Sequence, residues 1–449
     1  MINETHDPQR RSWVESANVP EQDFPLQNLP VGLFSRDGSL APRPGIAIGD
    51  QVLDLAECAE MRLIPDERLS SLLRACVESR ALNPLMAAGK SVAQALRNAA
   101  FRLLDGQHSQ AIATPDWRGR VLVRASDVQM HLPCRIGDYT DFLTSAYHTE
   151  RHGRFKGLEV PLPPVFKSLP VAYHGRASSI RVSGHHVQRP HGQWRGADGQ
   201  VCFGAAQALD FELELAAFVG QGNELGKPVP LDDAPSHIFG YCLLNDWSSK
   251  QVQWWEQMLG PFLGKSFGTT ISPWIVTEEA LAPFRKAAPA GDPAPLAYLA
   301  SARHTAQGRL NLALQACLHT PSMRRAGQPP ERIVDTHLDH LYWTFPQMLT
   351  HHASNGCNLQ AGDLLGSGTV SGPSPASMAC LTEKTEAGRV PFMLANGESR
   401  LWLADDDEII LTARAAQKGF VSIGFGECRA RLLPARQWPA KGRSTGQDG

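Results

Sequence analysis

The N-terminal part of the chain mixes strand-like and helix-like patterns of apolar residues. "GIAIGDQVLDL" (45–55) alternates apolar and polar residues around the Gly49-Asp50 turn, which predicts a β-hairpin. From 64 to 104, apolar residues recur three and four positions apart, which predicts amphipathic helices. "RVLVRASDV" then predicts a short strand, and we place a domain boundary near 127–133.

The remainder of the chain is longer, richer in strand signals and punctuated by Gly and Pro. "EIILTARA" and "FVSIGFGECRARLL" predict late strands, whereas "HLYWTFPQMLTHHASNG" predicts a helix kinked at Pro346. Strands and helices do not alternate as in a doubly wound fold, so we expect a β-rich α+β protein. The segments expected are a flexible N-terminal arm (1–22), a small domain (23–132), a larger domain (133–436) and a disordered tail (437–449).

Three carboxylates alternate along one predicted strand of the larger domain. "LDFELELAAFVG" (209–220) sets Asp210, Glu212 and Glu214 at every second position, which would place all of them on one face. Carboxylates this close repel one another, so another group must compensate their charge. A bound cation would do so. The spacing also leaves open that these acids form the solvated face of a half-buried sheet.

Two other segments have a spacing that could meet this strand. Asp141 and His148 lie seven residues apart, and Asp246, Lys250 and Gln253 follow at intervals of four and three. If both segments are helical, each set projects from one helical face. A carboxylate from each helix, added to the strand glutamates, would form an all-oxygen cage. Such a cage favours Mg²⁺ or Ca²⁺ over zinc.

Composition and cysteine usage exclude several classes of protein. The chain has 43 basic and 45 acidic residues, so its net charge of -2 gives no electrostatic reason to expect nucleic acid or an anionic membrane as partner. Nine scattered cysteines without a C-x-x-C pair indicate reduced thiols in a cytosol-like compartment. The sequence has no apolar run of signal-peptide or membrane-spanning type, so we expect a cytoplasmic protein.

Two familiar motifs are matched only in part, because the neighbouring residues do not fit the structure that each motif requires. "GKSFG" (264–268) matches G-x-S-x-G, but the β-branched residues that follow it do not predict the helix that a serine-hydrolase elbow requires. A phosphate-binding loop would need glycine at position 259, which is Leu259. The adjacent His351 and His352 lack the spacing that places two metal ligands on one helical face.

The chain closely resembles the fumarylacetoacetate hydrolase family. The matching stretches run in the family's order from about residue 23 to 433, and they are "DFPLQNLPVGLF", "GIAIGDQVLDL", "MHLPCRIGDYTDF", "LPVAYHGRASSIRVSG", "DFELELAAFVG", "NDWS", "GPFLGKSFGTTISPW", "LTHHASNGCNL" and "GDLLGSGTVSGP". The resemblance implies a small SH3-like N-terminal domain, a larger catalytic domain built on a mixed β-roll, and a homodimer.

The resemblance also implies roles for individual residues, carried over by position. The metal carboxylates fall on Asp141, Glu212, Glu214 and Asp246, with Lys265 and Thr269 beside cation positions. Asp210 lies just outside this set. The general base falls on His148, the oxyanion-side groups on Lys265 and Gln253, and substrate contacts on Tyr173 and Thr369.

Several positions depart from the family pattern. Four pocket positions where the family has tyrosine or arginine are occupied here by Leu143, Lys156, Lys250 and Gln257. Lys250 keeps the charge of an arginine in the oxyanion pocket but loses its planar fork. Where the family has a glutamate that orients the base, the simplest alignment places Cys380, and a gap of three places Glu383.

The implied activity is metal-dependent hydrolysis of a carbon–carbon bond in fumarylacetoacetate or a related acyl-1,3-diketone. It would use Mg²⁺ or Ca²⁺ and convert a small diketo acid into two carboxylic acids. The altered pocket leaves two alternatives open. One is different chemistry on a metal-bound enolate: decarboxylation, isomerisation or C–C bond formation. The other is a catalytically weak, metal-binding paralogue.

Overall fold

The computed structural model describes residues 2–36, 41–111, 117–288 and 291–439, and it has a β-rich α+β architecture, as predicted. The N-terminal domain is built on a five-stranded antiparallel sheet in the order β4-β3-β2-β1-β5. Its strands are β1 (Val31–Arg36), β2 (Arg43–Ile48), β3 (Gln51–Asp54), β4 (Leu122–Arg124) and β5 (Val128–His131). Its helices are α1 (Leu55–Glu60), α2 (Glu67–Ser79), α3 (Asn83–Ala87), α4 (Lys90–Leu104) and α5 (Trp117–Val121).

The patterns of the N-terminal domain predicted these elements well. The β2–β3 hairpin turns at Gly49, whose φ of 58° suits glycine, and apolar side chains of α2 and α4 face the domain core. Residues 2–22, which the sequence predicts to be a flexible arm, include residues that pack against the N-terminal domain. Val14 and Ala17 are buried there, and the buried Arg97 of α4 donates to Thr5 Oγ1 at 2.9 Å.

The larger domain combines two main sheets. Its strands are β6 (Tyr139–Leu143), β7 (Val171–His174), β8 (Ile180–Val182), β9 (Val187–Gln188), β10 (His191–Arg195), β11 (Val201–Ala205), β12 (Leu209–Asp210), β13 (Leu213–Val219), β14 (Ile238–Asp246), β15 (Ser248–Ser249), β16 (Thr269–Ile271), β17 (Val276–Thr277), β18 (Arg285–Lys286), β19 (Arg309–Leu310), β20 (Leu312–His319), β21 (Glu331–His337), β22 (Leu364–Gly366), β23 (Phe392–Met393), β24 (Ser399–Arg400), β25 (Glu408–Ala415), β26 (Ile423–Gly424) and β27 (Cys428–Leu433). Its helices are α6 (Ala146–Phe155), α7 (Ala234–His237), α8 (Lys250–Glu256), α9 (Ala302–Gln307), α10 (Pro321–Arg325), α11 (Phe345–Ala353) and α12 (Leu381–Lys384).

An eight-stranded mixed sheet lies between the two hydrophobic cores. Its order is β7-β6-β22-β13-β14-β16-β8, with β17 beside β14. A six-stranded sheet has the order β21-β20-β25-β27-β9, with β26 beside β25. On β13, Leu215 and Ala217 pack in the core shared with this sheet, whereas Ala216 and Phe218 pack in the core of the N-terminal domain. The sheet is therefore apolar on both faces, and the polar site lies where its central strands end.

Three further expectations can be compared with the structure. The late strands are observed as β25 and β27. Pro346 lies in the first turn of α11, where proline is tolerated, so the predicted kink is wrong. In the predicted disordered tail, Trp438 packs edge-on against Phe203 with ring centroids 4.7 Å apart, and residues 440–449 lie outside the described part of the chain. Among the described residues, no helix is both long and apolar enough to cross a membrane.

Candidate metal centre and active site

Three buried carboxylates converge at the end of the eight-stranded sheet. Asp141 of β6, Glu214 of β13 and Asp246 of β14 bring ligand oxygens within 4.8 Å of one another. Gly366 of β22 separates two of these strands, and a Cβ there would lie 2.5 Å from Asp141 Oδ1. Glycine at this position therefore leaves room for the carboxylates to approach.

The protein does not supply hydrogen-bond partners for all the oxygens of these carboxylates. Among the described residues, Asp141 Oδ1, Glu214 Oε1 and Asp246 Oδ1 are buried and have no hydrogen-bond partner. Burial and the neighbouring carboxylates raise the pKa of Asp141 and of Glu214 well above the usual range. A hard divalent cation would satisfy these oxygens and offset their repulsion, so the residues present fit Mg²⁺ or Ca²⁺.

The residues that were expected to share a helical face do not lie on a single helix, so this prediction is wrong, although their side chains do converge. Asp141 lies on a strand, and α6 begins only after Ser145, whose Oγ caps the His148 amide at 3.2 Å. Asp246 likewise ends β14, and Lys250 opens α8 after a short break. The spacings of seven and four residues thus span a strand-to-helix turn. Both strands end at the same site, and for that reason the side chains converge.

The alternating acids of 209–220 form neither a solvated face nor one continuous row. All three are buried, and the strand is interrupted between Asp210 and Leu213. Asp210 is directed away from the carboxylate cluster, because it accepts hydrogen bonds from the Leu381 and Thr382 amides, both at 2.7 Å. It fixes the start of α12 and lies outside the cluster, where the resemblance also put it.

Glu212 is held by two lysines. Lys265 Nζ lies 2.6 Å from Glu212 Oε2 and also pairs with Asp246, and the buried Lys250 pairs with the other Glu212 oxygen. Burial alone would raise the pKa of Glu212, but Lys250 and Lys265 outweigh it and hold that pKa well below the usual range. Glu212 therefore lies beside the three converging carboxylates and is not one of them. Thr269 is buried on β16, directly across from Asp246.

His148 is oriented by Glu383. The imidazole Nδ1 donates to Glu383 Oε1 at 2.7 Å, and Arg151 donates to the other carboxylate oxygen at 2.6 Å. Burial would raise the pKa of Glu383, but His148 and the hydrogen bonds from His148, Ser371 and Arg151 lower it to about 2. The carboxylate thus fixes the tautomer of His148 and leaves Nε2 as the free acceptor.

The simplest alignment, which placed Cys380 opposite His148, is therefore wrong. Cys380 directly precedes α12 and makes no side-chain cap bond, and the first turn of this helix carries Glu383 to the histidine. The Cys380 thiol is buried beside the pair and donates to Glu383 Oε1 at 3.4 Å. Burial and the adjacent Glu383 raise the pKa of the thiol well above its usual range, so it is protonated at neutral pH.

A cavity of about 560 Å³ opens over this site. The six residues expected to contact substrate all line it, and they are Leu143, Lys156, Tyr173, Gln253, Gln257 and Thr369. Tyr173 donates to Asp246 Oδ2 at 2.8 Å, and Lys156 Nζ donates to Gln257 Oε1 at 3.3 Å. Gln253 Oε1 and Thr369 Oγ1 are buried without a partner among the described residues, so both are available to a bound molecule.

Sequence reasoning missed two residues of the site. His152 lies one helical turn after His148 on α6, with ring centroids 4.1 Å apart, and it lines the cavity. Arg151 binds Glu383, as described above. The H-x-x-x-H spacing of "HTERH" was the available signal for His152, because residues four apart share a helical face. No local pattern links Arg151 to Glu383, which is 232 residues away.

The fold and the site together define a class of protein. Residues 139–433 match the family model described as fumarylacetoacetate hydrolase C-terminal, and residues 27–133 match fumarylacetoacetase N-terminal. The chain belongs to the fumarylacetoacetate hydrolase family.

Individual relatives align over nearly the full length of the chain. The fumarylacetoacetase of Bos taurus is 44% identical over 418 residues, which is 92% of this chain and 97% of that protein. The fumarylacetoacetase of Caenorhabditis elegans is 45% identical over 424 residues, covering 93% of this chain and 98% of that one. The human fumarylacetoacetase is 42% identical over 418 residues, covering 92% and 97%.

Proposed function

We propose that the chain catalyses the metal-dependent hydrolysis of a carbon–carbon bond in fumarylacetoacetate or a closely related acyl-1,3-diketone. One observation carries the proposal: an oriented histidine and a cluster of unsatisfied carboxylates open on the same cavity. A cation site beside a general base is the equipment that hydrolysis of a carbonyl compound requires. The relatives named above carry the corresponding activity in their names.

Asp141, Glu214 and Asp246 would hold the cation, with Glu212 and Lys265 as the adjoining ion pair. When bound, the cation supplies Lewis-acid polarisation of the diketone oxygens. We propose Mg²⁺ or Ca²⁺, because every converging ligand atom in the cluster is a carboxylate oxygen.

His148 is the proposed general base. Its free Nε2 takes a proton from water, and the resulting hydroxide adds to a carbonyl carbon of the diketone. Glu383 accepts from Nδ1 and stabilises the imidazolium that forms. The bond between that carbonyl carbon and the central carbon then breaks. The central carbon takes the electron pair and a proton, and the products are two carboxylic acids.

Lys265 and Gln253 are the proposed donors to the developing oxyanion. Lys265 is buried, and both Lys265 and Gln253 line the cavity, where the ammonium and the side-chain NH₂ are the groups able to donate. Donors fixed before the reaction stabilise developing charge without reorganisation. Lys250 does not line the cavity and is proposed to position Glu212. Leu143, Lys156, Tyr173, Gln257 and Thr369 are proposed to contact the substrate.

The placement of Glu383 favours hydrolysis over the alternative reactions. Part of the support for those alternatives was the alignment that placed Cys380 where the family has the glutamate that orients the base. Since Glu383 lies 2.7 Å from His148, the base required to activate water is present.

We further propose a homodimer and a cytoplasmic location. Segment 258–263 exposes Met258, Leu259 and Phe262 by 95%, 100% and 66%, and Leu259 also lines the cavity mouth. Contiguous exposed apolar side chains of this kind are typical of interfaces. The cytoplasmic location rests on the scattered free cysteines.

The proposal is tested by following the diketone absorbance of fumarylacetoacetate after chelation of the enzyme and after return of Mg²⁺ or Ca²⁺. We expect activity to be lost on chelation, to be restored by the ions and to be absent from His148→Gln. Turnover that survives complete removal of divalent ions, or that survives in His148→Gln, would contradict the proposal.

A further inference from the structure

A second group of possible metal ligands lies next to the carboxylate cluster and has a different chemistry. His148, His152 and Cys380 bring ligand atoms within 4.8 Å of one another. The donor atoms are two imidazole nitrogens and one sulfur, whereas the carboxylate cluster offers oxygen alone. Nitrogen and sulfur ligands select borderline metals such as Zn²⁺ over Mg²⁺ and Ca²⁺.

The two histidines are placed as a helical ligand pair. They lie four residues apart on α6, so that both rings project from one face of the helix. The same i, i+4 spacing presents paired zinc ligands in helical metal sites. His152 Nε2 is buried and has no partner among the described residues, and the ring lines the cavity. This nitrogen is therefore placed to act as a metal ligand.

Glu383 supports the proposed ligand set through its hydrogen bond to His148. It binds His148 Nδ1 at 2.7 Å, which leaves Nε2 free to bind a metal. A carboxylate behind a ligating histidine is the usual outer partner in zinc sites. Glu383 also accepts from the Cys380 thiol at 3.4 Å, so the sulfur lies beside the same carboxylate. The nearby Lys250 is already paired with Glu212.

We propose that His148, His152 and Cys380 form a Zn²⁺ site that is separate from the carboxylate site and blocks the catalytic base. Zinc bonds of about 2.0–2.3 Å place tetrahedral ligands roughly 3.5 Å apart, so small side-chain rotations close the site. The cavity supplies entry and a water molecule as fourth ligand. Binding converts the thiol to a thiolate and releases one proton.

Occupation of this site takes His148 Nε2, the atom that accepts the proton of water. The chain is therefore inhibited by Zn²⁺ even when its carboxylate site is saturated with Ca²⁺. This consequence rests on the proposed function, whereas the binding itself does not. Inhibition should be non-competitive with Ca²⁺ and reversed by a zinc chelator.

The binding is tested with Co²⁺, a spectroscopic substitute for Zn²⁺, added to full-length protein saturated with Ca²⁺. We expect a thiolate-to-cobalt charge-transfer band that saturates at one equivalent and disappears on addition of Zn²⁺. Cys380→Ser should abolish the band. His152→Gln should weaken binding by at least the roughly 10–100-fold that loss of an outer partner costs. Cys357→Ser, a half-buried cysteine elsewhere, is the matched control and should retain the band.

A band that is absent from the wild-type protein, that persists in Cys380→Ser or that excess Ca²⁺ removes would overturn the site. Circular dichroism of each variant checks folding, and the competition between Ca²⁺ and Co²⁺ in the wild-type protein needs no variant. A protein that binds one Co²⁺ through sulfur but does not cleave the diketone would refute the proposed function and leave this site standing.

Discussion

At the scale of single residues, three buried carboxylates lie close enough to repel one another when ionised. Glu214 lies against Asp141 and Asp246 with one oxygen unpartnered among the described residues. Its pKa is raised well above the usual range by burial and by Asp141. A raised carboxyl pKa stabilises the folded protein below the unfolded-state pKa, and this stability is lost as pH rises through the folded-state pKa. Metal-free protein should therefore lose stability towards neutral pH.

Glu214→Gln should remove this effect together with the metal site. We expect metal affinity to fall by at least roughly 100-fold, and turnover to fall with it. The melting temperature of the metal-free variant at neutral pH should equal or exceed that of the metal-free wild type, because one ionised carboxylate is gone. Calorimetric titration and thermal melts across pH check both effects. A variant that retains metal affinity would remove Glu214 from the site.

Glu383→Gln should separate orientation of the base from binding of the substrate. The amide cannot stabilise an imidazolium, so we expect kcat to fall by roughly 10²–10⁴-fold, with a small change in KM. The exposed Glu386, three residues further on, provides the control Glu386→Gln, which should be neutral. Steady-state kinetics across pH provide the measurement. An unchanged kcat in Glu383→Gln would contradict the proposed role of the carboxylate in orienting His148.

Single-residue assignments from sequence succeeded where family motifs are long and failed where they are short. The stretch around Glu212 and Glu214 aligns without ambiguity, whereas a three-residue uncertainty separated Cys380 from Glu383. That uncertainty could not be resolved locally, because Asp210, 171 residues earlier, fixes the turn of α12. His152 could have been found from its spacing to His148.

At the scale of elements, the site depends on turns where strands pass into helices. Asp210 at the end of β12 accepts the first amides of α12 and so aims Glu383 at His148. Hydrophobic periodicity identified the amphipathic helices α2 and α4 and the hairpin β2–β3, since each pattern is local. It did not show that Asp141 and Asp246 lie on strands, because spacing alone fits either structure.

Asp210→Ala should therefore affect stability and catalysis together. Buried donors of α12 would lose their acceptor, which costs roughly 1–3 kcal/mol of unfolding free energy. We expect kcat to fall as Glu383 loses its position. Asp233→Ala is a suitable control, because Asp233 precedes α7 without a side-chain cap bond. Chemical denaturation and kinetics on both variants provide the measurement. Stable and fully active Asp210→Ala would contradict this view of α12.

At the scale of the whole molecule, the N-terminal domain packs on one face of the eight-stranded sheet and the six-stranded sheet packs on the other. The ends of its strands contribute residues to the lining of the cavity. The exposed segment 258–263 lies at the cavity mouth, so an interface there would place a second copy close to each active site.

The double substitution Met258→Ser and Phe262→Ser should weaken the proposed homodimer. We expect the wild-type protein to sediment as a dimer and the variant to shift towards monomer, because exposed apolar area is removed from the interface. Leu225→Ser, at an exposed leucine outside this segment, should leave the assembly unchanged. Sedimentation over a range of protein concentrations distinguishes the cases, and a wild-type monomer at every concentration would refute the dimer.

The most direct test of the central claim is the fate of solvent oxygen. Fumarylacetoacetate is incubated with metal-loaded protein in oxygen-labelled water, and the products are examined by mass spectrometry. If His148 activates water for attack on the carbonyl carbon beside the alkene, fumarate carries one labelled oxygen in a single carboxylate and acetoacetate is released in equal amount. Loss of the diketone without that label, or with any other pair of products, would contradict hydrolysis at this site.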